Sequence, residues 1–358
     1  MSSRVFVAMS GGVDSSVAAY ILKEQGYAVT GITMQIWPQG KGNDGACCDL
    51  DAVNDARRVA GQLGIPHYVL NFREEFAHAV IDYFCRDYLQ GRTPNPCIAC
   101  NRYIKFGSLM NQARAMGADY LATGHYARIG HNAAHDVYQL LTAGDPGKDQ
   151  SYVLYNLTQE QLKHTLFPLG DLDKQQVREL AREKGLLVAD KAESQEICFV
   201  TNGRYGDFVE QYLHLEPRPG EVKDLNGEFL GHHRGIHHYT IGQRKGLGLA
   251  LGYQAYITKL DADVNTIWVG GNQDLFHSIL EADHVNYISG RIPQEPMEVT
   301  AKIRYSALKV PAQIVPLGDE RVRVDFSQPQ RAITPGQAVV FYQGETVIGG
   351  GTIGAVTD

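Results

Sequence analysis

Ser10-Gly11-Gly12-Val13-Asp14-Ser15-Ser16 is the stretch on which the fold turns. Before it, residues 4–9 form a short apolar run of strand character, and after it residues 15–25 carry apolar side chains at helical spacing. A glycine-rich turn between a strand and a helix presents backbone N–H groups and the positive helix end to an anion, and the glycines let the chain close tightly against it. A lone Ser-Gly-Gly is equally a plain turn; the flanking strand and helix give the phosphate reading its weight. Neither the lysine-bearing G-x-x-x-x-G-K-[ST] loop nor the dinucleotide G-x-G-x-x-G is present.

Outward from the loop, strand and helix alternate. Residues 28–36 and 67–71 read as strands, 50–63 and 74–89 as helices, and a helix over 105–116 leads into a strand at 120–123. That rhythm predicts an α/β fold, a doubly wound parallel sheet that binds ligands at the carboxyl ends of its strands. The pattern then loosens into a hairpin, 126–129 with 137–141, and a helix at 174–184, so the first domain is expected to span 1–202. Gly and Pro become frequent after Pro217, and strands near 252–260 and 266–269 suggest a small central domain over 203–275. Residues 276–358 contain short alternating segments (299–305, 310–315, 321–326, 338–342, 346–353) split by turn residues, the signature of a small antiparallel β-barrel.

Composition bounds the function. The 358 residues are 44% hydrophobic with a formal charge of −7, which excludes disorder and gives no global polyanion-binding signal. No apolar run of about 18 residues and no signal-like N-terminus occur, so no membrane association and a cytoplasmic location are expected. Local charge differs. Between residues 86 and 115 lie Arg86, Arg92, Arg102, Lys105 and Arg114 against one acid, Asp87; residues 231–246 carry Arg234, Arg244, Lys245 and four histidines with no acid. Either stretch could meet a polyanion or be a solvated face.

Six cysteines are too few for a disulfide scaffold. Thr93-Pro94-Asn95-Pro96-Cys97-Ile98-Ala99-Cys100-Asn101 sets two thiols three positions apart after a proline-fixed turn. Such a pair is a metal half-site, a redox pair or an accident, and with no second pair at zinc spacing a structural zinc lacks ligands. Cys198 lies in Ser194-Gln195-Glu196-Ile197-Cys198-Phe199. Cys85 and the vicinal Cys47 and Cys48 read as small buried hydrophobes.

The loop resembles the PP-loop of the ATP pyrophosphatase superfamily, and the whole chain is similar to its tRNA 2-thiouridylase family. The likeness is carried by the loop, the Pro-Asn-Pro-Cys-Ile-Ala-Cys-Asn run, Gly124-His125-Tyr126-Ala127, Lys148-Asp149-Gln150-Ser151-Tyr152, the Cys198 segment, His238-Tyr239-Thr240-Ile241-Gly242-Gln243-Arg244-Lys245-Gly246, Arg304-Tyr305 and Pro335-Gly336-Gln337. It implies ATP-dependent thiolation of the wobble uridine. Ala8, Met9, Ser10, Gly11, Gly12, Val13, Asp14 and Ser15 would hold the phosphates of ATP, Asp14 helping to place Mg2+, with Met34 and Gly124 flanking adenine. Cys100 would be the nucleophile and Cys198 the carrier of a persulfide from a sulfur donor protein. Asn95, Pro96 and Cys97 would meet the target base, and His125, Lys148, Asp149, Gln150, Arg304, Tyr305 and Gln337 the tRNA. A monomer is expected.

One position departs from the family pattern: Cys97 stands where many members have Asp. The substitution makes Cys97, Cys100 and Cys198 resemble the ligand set of thiolation enzymes that hold a four-iron four-sulfur cluster on three cysteines. The alternative leaves Cys97 a spectator and cycles Cys100 and Cys198 through persulfide and disulfide. Two other functions compete: a PP-loop ligase adenylating a small molecule, which needs no cysteine trio, and a nucleotide-binding sensor, which leaves the cysteines unexplained.

Overall fold

The computed structural model describes residues 2–36, 50–192, 197–200, 203–249, 251–318 and 320–357. The connector at 39–45, Cys47, Cys48 and the Ser194-Gln195-Glu196 part of the Cys198 motif lie outside the described residues.

Strands β1 (Arg4–Ala8), β2 (Ala28–Gln35), β3 (His67–Asn71), β4 (Tyr120–Thr123) and the short β7 (Thr165–Leu166) form a parallel sheet in the order β3-β2-β1-β4-β7. Its faces are apolar for a period-2 reason. Phe6, Ile32, Met34 and Leu121 enter one core, while Val5, Val7, Val29 and Ala122 enter the other. Helices Val13–Glu24 and Leu50–Leu63 cover the second face with Val17, Ala18, Ala56 and Val59. The doubly wound sheet expected from the sequence is therefore present.

The helix expected from residue 105 begins earlier. Residues 96–115 are continuously helical, and Cys100–Leu109 has π-helical hydrogen bonding. Asn95 starts the helix: its Oδ1 accepts from the Ile98 amide at 3.2 Å, and Pro96 follows where a missing N–H costs nothing. The unusual winding starts at Cys100, in keeping with the tendency of π segments to occur at functional sites.

The central domain is a sheet of β8 (Gly220–Asp224), β9 (Phe229–His233), β10 (Tyr256–Asp261) and β11 (Thr266–Gly270) around Val222, Ile257, Ile267 and Val269. The C-terminal strands β12 (Phe276–Tyr287), β13 (Met297–Lys302), β14 (Val310–Gly318), β15 (Arg321–Arg331), β16 (Ala338–Gln343) and β17 (Thr346–Thr357) close into an antiparallel barrel through the β12–β17 pairing. The hairpin of β5 (Arg128–Asn132) and β6 (Val137–Leu141) pairs with β17 and so extends the barrel's sheet. Strand β16 is buried on both sides. Val339 and Phe341 fill the barrel, whereas Ala338, Val340 and Tyr342 enter the same core as Phe6 and Ile32. The barrel and the first domain thus share apolar surface.

Candidate active site

The loop after β1 is built from its own side chains. Ser15 Oγ accepts from the Ser10 amide at 3.1 Å, and the Ser15 and Ser16 hydroxyls donate to the Gly12 carbonyl at 3.2 and 2.8 Å. Gly11 has φ +70°, and a Cβ there would lie 2.2 Å from the Ala52 carbonyl oxygen, so only glycine fits. Gly124 lets β4 approach the start of the Val13–Glu24 helix, since a Cβ there would meet the Asp14 carbonyl carbon and the Ser15 nitrogen at 2.8 Å.

A cleft of about 190 Å³ opens at the carboxyl ends of β1, β2 and β4. Ala8, Met9, Ser10, Asp14, Ser15, Met34 and Gly124 line it, as do two residues expected at the tRNA, His125 and Gln150. The cleft also contains Lys105, which the sequence offered only as part of a basic stretch. Lys105 Nζ lies 3.5 Å from His125 Nε2, and His125 Nδ1 lies 2.7 Å from Thr123 Oγ1. Burial, then the Lys105 ammonium, hold His125 well below the ordinary imidazole range. The ring is therefore neutral: Nε2 accepts from Lys105, and Nδ1–H donates to Thr123. Lys105 also faces the cleft.

Asp14 is not an open carboxylate. Lys174 Nζ lies 2.7 and 2.9 Å from its two oxygens, and the Tyr126 hydroxyl donates to Oδ1 at 2.8 Å. The Lys174 ammonium thus holds the place expected for a cation at Asp14, so these donors do not fit Mg2+ in this arrangement. Lys191 Nζ donates to the Gly11 carbonyl at 3.1 Å and pairs with Asp55 at 2.7 Å. Sequence reading missed Lys174 and Lys191; neither stands in a local motif, and only the tertiary fold brings them to the loop.

Cys97 is exposed, Cys100 and Cys198 are half-buried, and Cys85 is buried. Burial, then Asp82, push the Cys85 thiol up to about 12, so it stays protonated and inert, as expected. Cys100 and Cys198 both pack against the core that contains Phe84 and Ile104. Phe199 anchors the Cys198 segment. Its ring is 1% exposed and meets Phe84 and Phe76 edge-on, with centroids 5.0 and 6.0 Å away.

The turn before Cys97 is clasped by the other two domains. The Thr93 amide donates to the Pro335 carbonyl at 2.8 Å, and Gln337 Nε2 donates to the Thr93 and Pro94 carbonyls at 3.0 and 3.3 Å. Gly336, at φ +91°, leaves room for Thr93, whose hydroxyl donates to Thr240 of the central domain at 3.2 Å. Gln337, expected at the tRNA, is placed here holding the cysteine turn.

Above this turn the barrel offers an aromatic face. Tyr305 is 45% exposed, its ring 6.2 Å from that of Tyr152, and Lys302 Nζ lies within 6 Å of both rings. Burial, then Asp149 and Cys97, raise the Tyr305 hydroxyl pKa, which places Cys97 in its electrostatic neighbourhood. Arg304 is half-spent: its Nη2 donates to the Arg331 and Ala332 carbonyls at 2.6 and 3.2 Å. Asp149 is buried, accepting from the Ala143 and Ser151 amides at 3.1 Å and from the Ser151 hydroxyl at 2.9 Å. Lys148 is half-buried beside it.

The second basic stretch does not present a histidine surface. His233, His237 and His238 are buried. Glu210 Oε1 accepts from His237 Nε2 at 2.9 Å and His238 Nε2 at 2.7 Å, the only metal-like donor group among the described residues. Arg234 donates to His238 Nδ1 at 2.7 Å. Arginine cannot accept, so the His238 proton sits on Nε2, where a metal would have to bind. The group is a hydrogen-bonded joint between the Tyr205–Leu213 helix and the central domain.

Comparison with known proteins agrees with this layout. Residues 3–202 match the family described as tRNA methyl transferase HUP domain, 206–271 its PRC-barrel domain, and 277–353 the aminomethyltransferase beta-barrel domain. The chain is 56% identical to a tRNA-specific 2-thiouridylase MnmA of Acetivibrio thermocellus, over 98% of this chain and 99% of that one. It is 56% identical to the MnmA of Moorella thermoacetica, with the same coverage, and 53% to that of Clostridium perfringens, over 98% of each. With such identity over nearly its whole length, the chain belongs to the tRNA-specific 2-thiouridylase family.

Proposed function

We propose that the protein uses ATP to replace the C2 oxygen of the wobble uridine in tRNA with sulfur. One observation carries the reading: the 96–115 helix bears Cys100 at the sulfur end and Lys105 inside the nucleotide cleft, so one rigid element joins activation to sulfur transfer. Uridine O2 attacks the α-phosphorus of ATP and pyrophosphate leaves. Lys105 and the loop amides balance the charge that builds on the phosphates. The neutral His125 holds the Lys105 ammonium without competing for the anion. Magnesium would arrive on the phosphates, not on Asp14.

The adenylated C2 then receives the outer sulfur of a Cys198 persulfide, and AMP departs with the old oxygen. The Cys100 thiolate attacks Cys198 Sγ, the sulfur–sulfur bond breaks, and the electron pair stays with the sulfur now on C2. A Cys100–Cys198 disulfide remains, which a dithiol reductant reopens. Two observations favour this over a cluster on three cysteines: Cys100 and Cys198 are both half-buried against the same large apolar core, while Cys97 is exposed and lies near Tyr305. Tyr305 offers a stacking face for an unstacked anticodon-loop base, the form in which RNA bases are usually read.

The test is anaerobic protein incubated with ATP, tRNA and a persulfide donor. Pyrophosphate release that requires tRNA, with 2-thiouridine formed by iron-free protein, is expected. Release without tRNA would point to a small-molecule ligase. Thiolation that tracks iron content would return the chemistry to a cluster.

A further inference from the structure

The basic stretch noted in the sequence divides in space. Lys105 enters the nucleotide cleft, and Arg114 pairs with Glu160 at 2.8 Å. Arg86, Arg92 and Arg102 instead converge on a separate cavity of about 690 Å³ at the seam between the first domain and the barrel. Asn95, Ile98, Ala99 and Arg102 of the cysteine helix line it, as do Gly336 and Ala338, the neighbours of Gln337. The cavity therefore lies against the same helix and the same clasp as the sulfur site, and neither Cys97 nor Cys100 lines it.

The charge in the cavity does not cancel. Two carboxylates line it, and each has an arginine beside it: Asp87 faces Arg92 at 3.6 Å, and Asp283 faces Arg321, which Glu281 also holds, at 3.3 Å. Arg86 and Arg102 have no ion pair among the described residues; Arg86 adds to the pull of Arg92 on Asp87, and Arg102 lies 5.3 Å from the Tyr103 ring centroid and acts electrostatically on the Tyr155 hydroxyl. With three arginines against two carboxylates, the concave wall keeps a net positive charge, which concentrates positive potential and suits a phosphate's oxygens. The wall also holds a buried acceptor, Asn156 Oδ1, that lacks a hydrogen-bond donor. A buried unmet acceptor seeks a hydroxyl or amide proton.

We propose that this cavity is a second anion site, which takes a ribose phosphate: phosphate on Arg86 and Arg102, a sugar hydroxyl on Asn156. The ribose phosphate comes either from the backbone of the RNA substrate or from a free nucleotide. The RNA source rests on the tRNA reading above; the free-nucleotide source does not.

The experiment uses the full chain with its ATP cleft filled by a non-hydrolysable ATP analogue. Binding of uridine 5′-monophosphate and of an anticodon stem-loop RNA is measured across a salt series, for wild type and the Arg86→Gln/Arg102→Gln variant. If RNA is the source, the variant's slope of log affinity against log salt falls by about 2, since each phosphate contact contributes close to one. If a free nucleotide is the source, the slope holds and uridine monophosphate binding falls at least tenfold. Unchanged slope together with unchanged nucleotide binding overturns the proposal. Unchanged ATP-analogue affinity verifies the variant's fold. The Arg86→Lys/Arg102→Lys variant keeps the charge and retains most of the binding; if it fails as the Gln variant does, the arginines are structural and the anion site is refuted.

Discussion

The nucleotide loop and the sulfur site are built in opposite ways. The loop is one run of eight consecutive residues, Ala8 to Ser15, whose turn is closed by Ser10, Gly12 and Ser15 themselves, with Tyr126, Lys174 and Lys191 reaching it from other elements. The sulfur site is assembled from the Thr93–Cys100 turn, the Cys198 segment, Thr240 and the Pro335–Gln337 clasp, one or more pieces from every domain. A local site survives distant damage; an assembled one does not. Residues far from the chemistry should therefore disable sulfur transfer while ATP binding persists.

The largest expected effect is at Phe199. Phe199→Ala removes a fully buried ring beside Cys198 and should cost about 3–5 kcal/mol of stability. A fall in melting temperature, with thiolation lost and ATP affinity kept in the protein that remains folded, is the expected pattern. Equal loss of ATP affinity would break the contrast between the two sites.

Next comes Gln337→Ala. Two hydrogen bonds to the turn carbonyls are lost, about 1–3 kcal/mol in all, and misplacing Cys100 should lower single-turnover thiolation by about 10- to 100-fold. Pyrophosphate release and thiolation measured side by side check it. Loss of RNA affinity alone, with an intact thiolation rate at saturating tRNA, would make Gln337 a tRNA contact, as the sequence suggested.

The smallest effect is a shallow pH dependence of stability. Burial holds His67, His125, His233 and His238 below the ordinary 6.5. Below that pH the unfolded chain takes up protons that the folded chain refuses. Stability is thus full above about 6.5 and declines as pH falls from there. Melting curves between about pH 7.5 and 5.5 should shift downward, less so in His125→Gln; a flat series would contradict the neutral assignment of these rings.

The same division explains what the sequence revealed. The parallel sheet and loop were legible because Val5, Phe6 and Val7 alternate between two cores within one strand. Strand β12 was missed. Its bulges move the buried positions from Leu280 and Ala282 to Val285 and Tyr287, breaking the period-2 pattern that marks a strand. The Tyr205–Leu213 helix was missed as well. Lys105 was visible only as charge, and Lys174 and Lys191 not at all, because their roles depend on which loop the fold sets opposite them. Gln337 carried a motif, yet its hydrogen bonds to residues 93 and 94 could not be read from chain distance.

The most direct test of the sulfur assignment is the Cys100→Ser protein, loaded by a persulfide donor and given ATP and tRNA. Mass spectrometry of the Cys198 peptide would be read alongside pyrophosphate release and 2-thiouridine. An extra sulfur on Cys198, tRNA-dependent pyrophosphate release and a halt before 2-thiouridine is freed are expected. Full thiolation by this variant, or sulfur that loads on Cys97 while Cys198 stays bare, would contradict it.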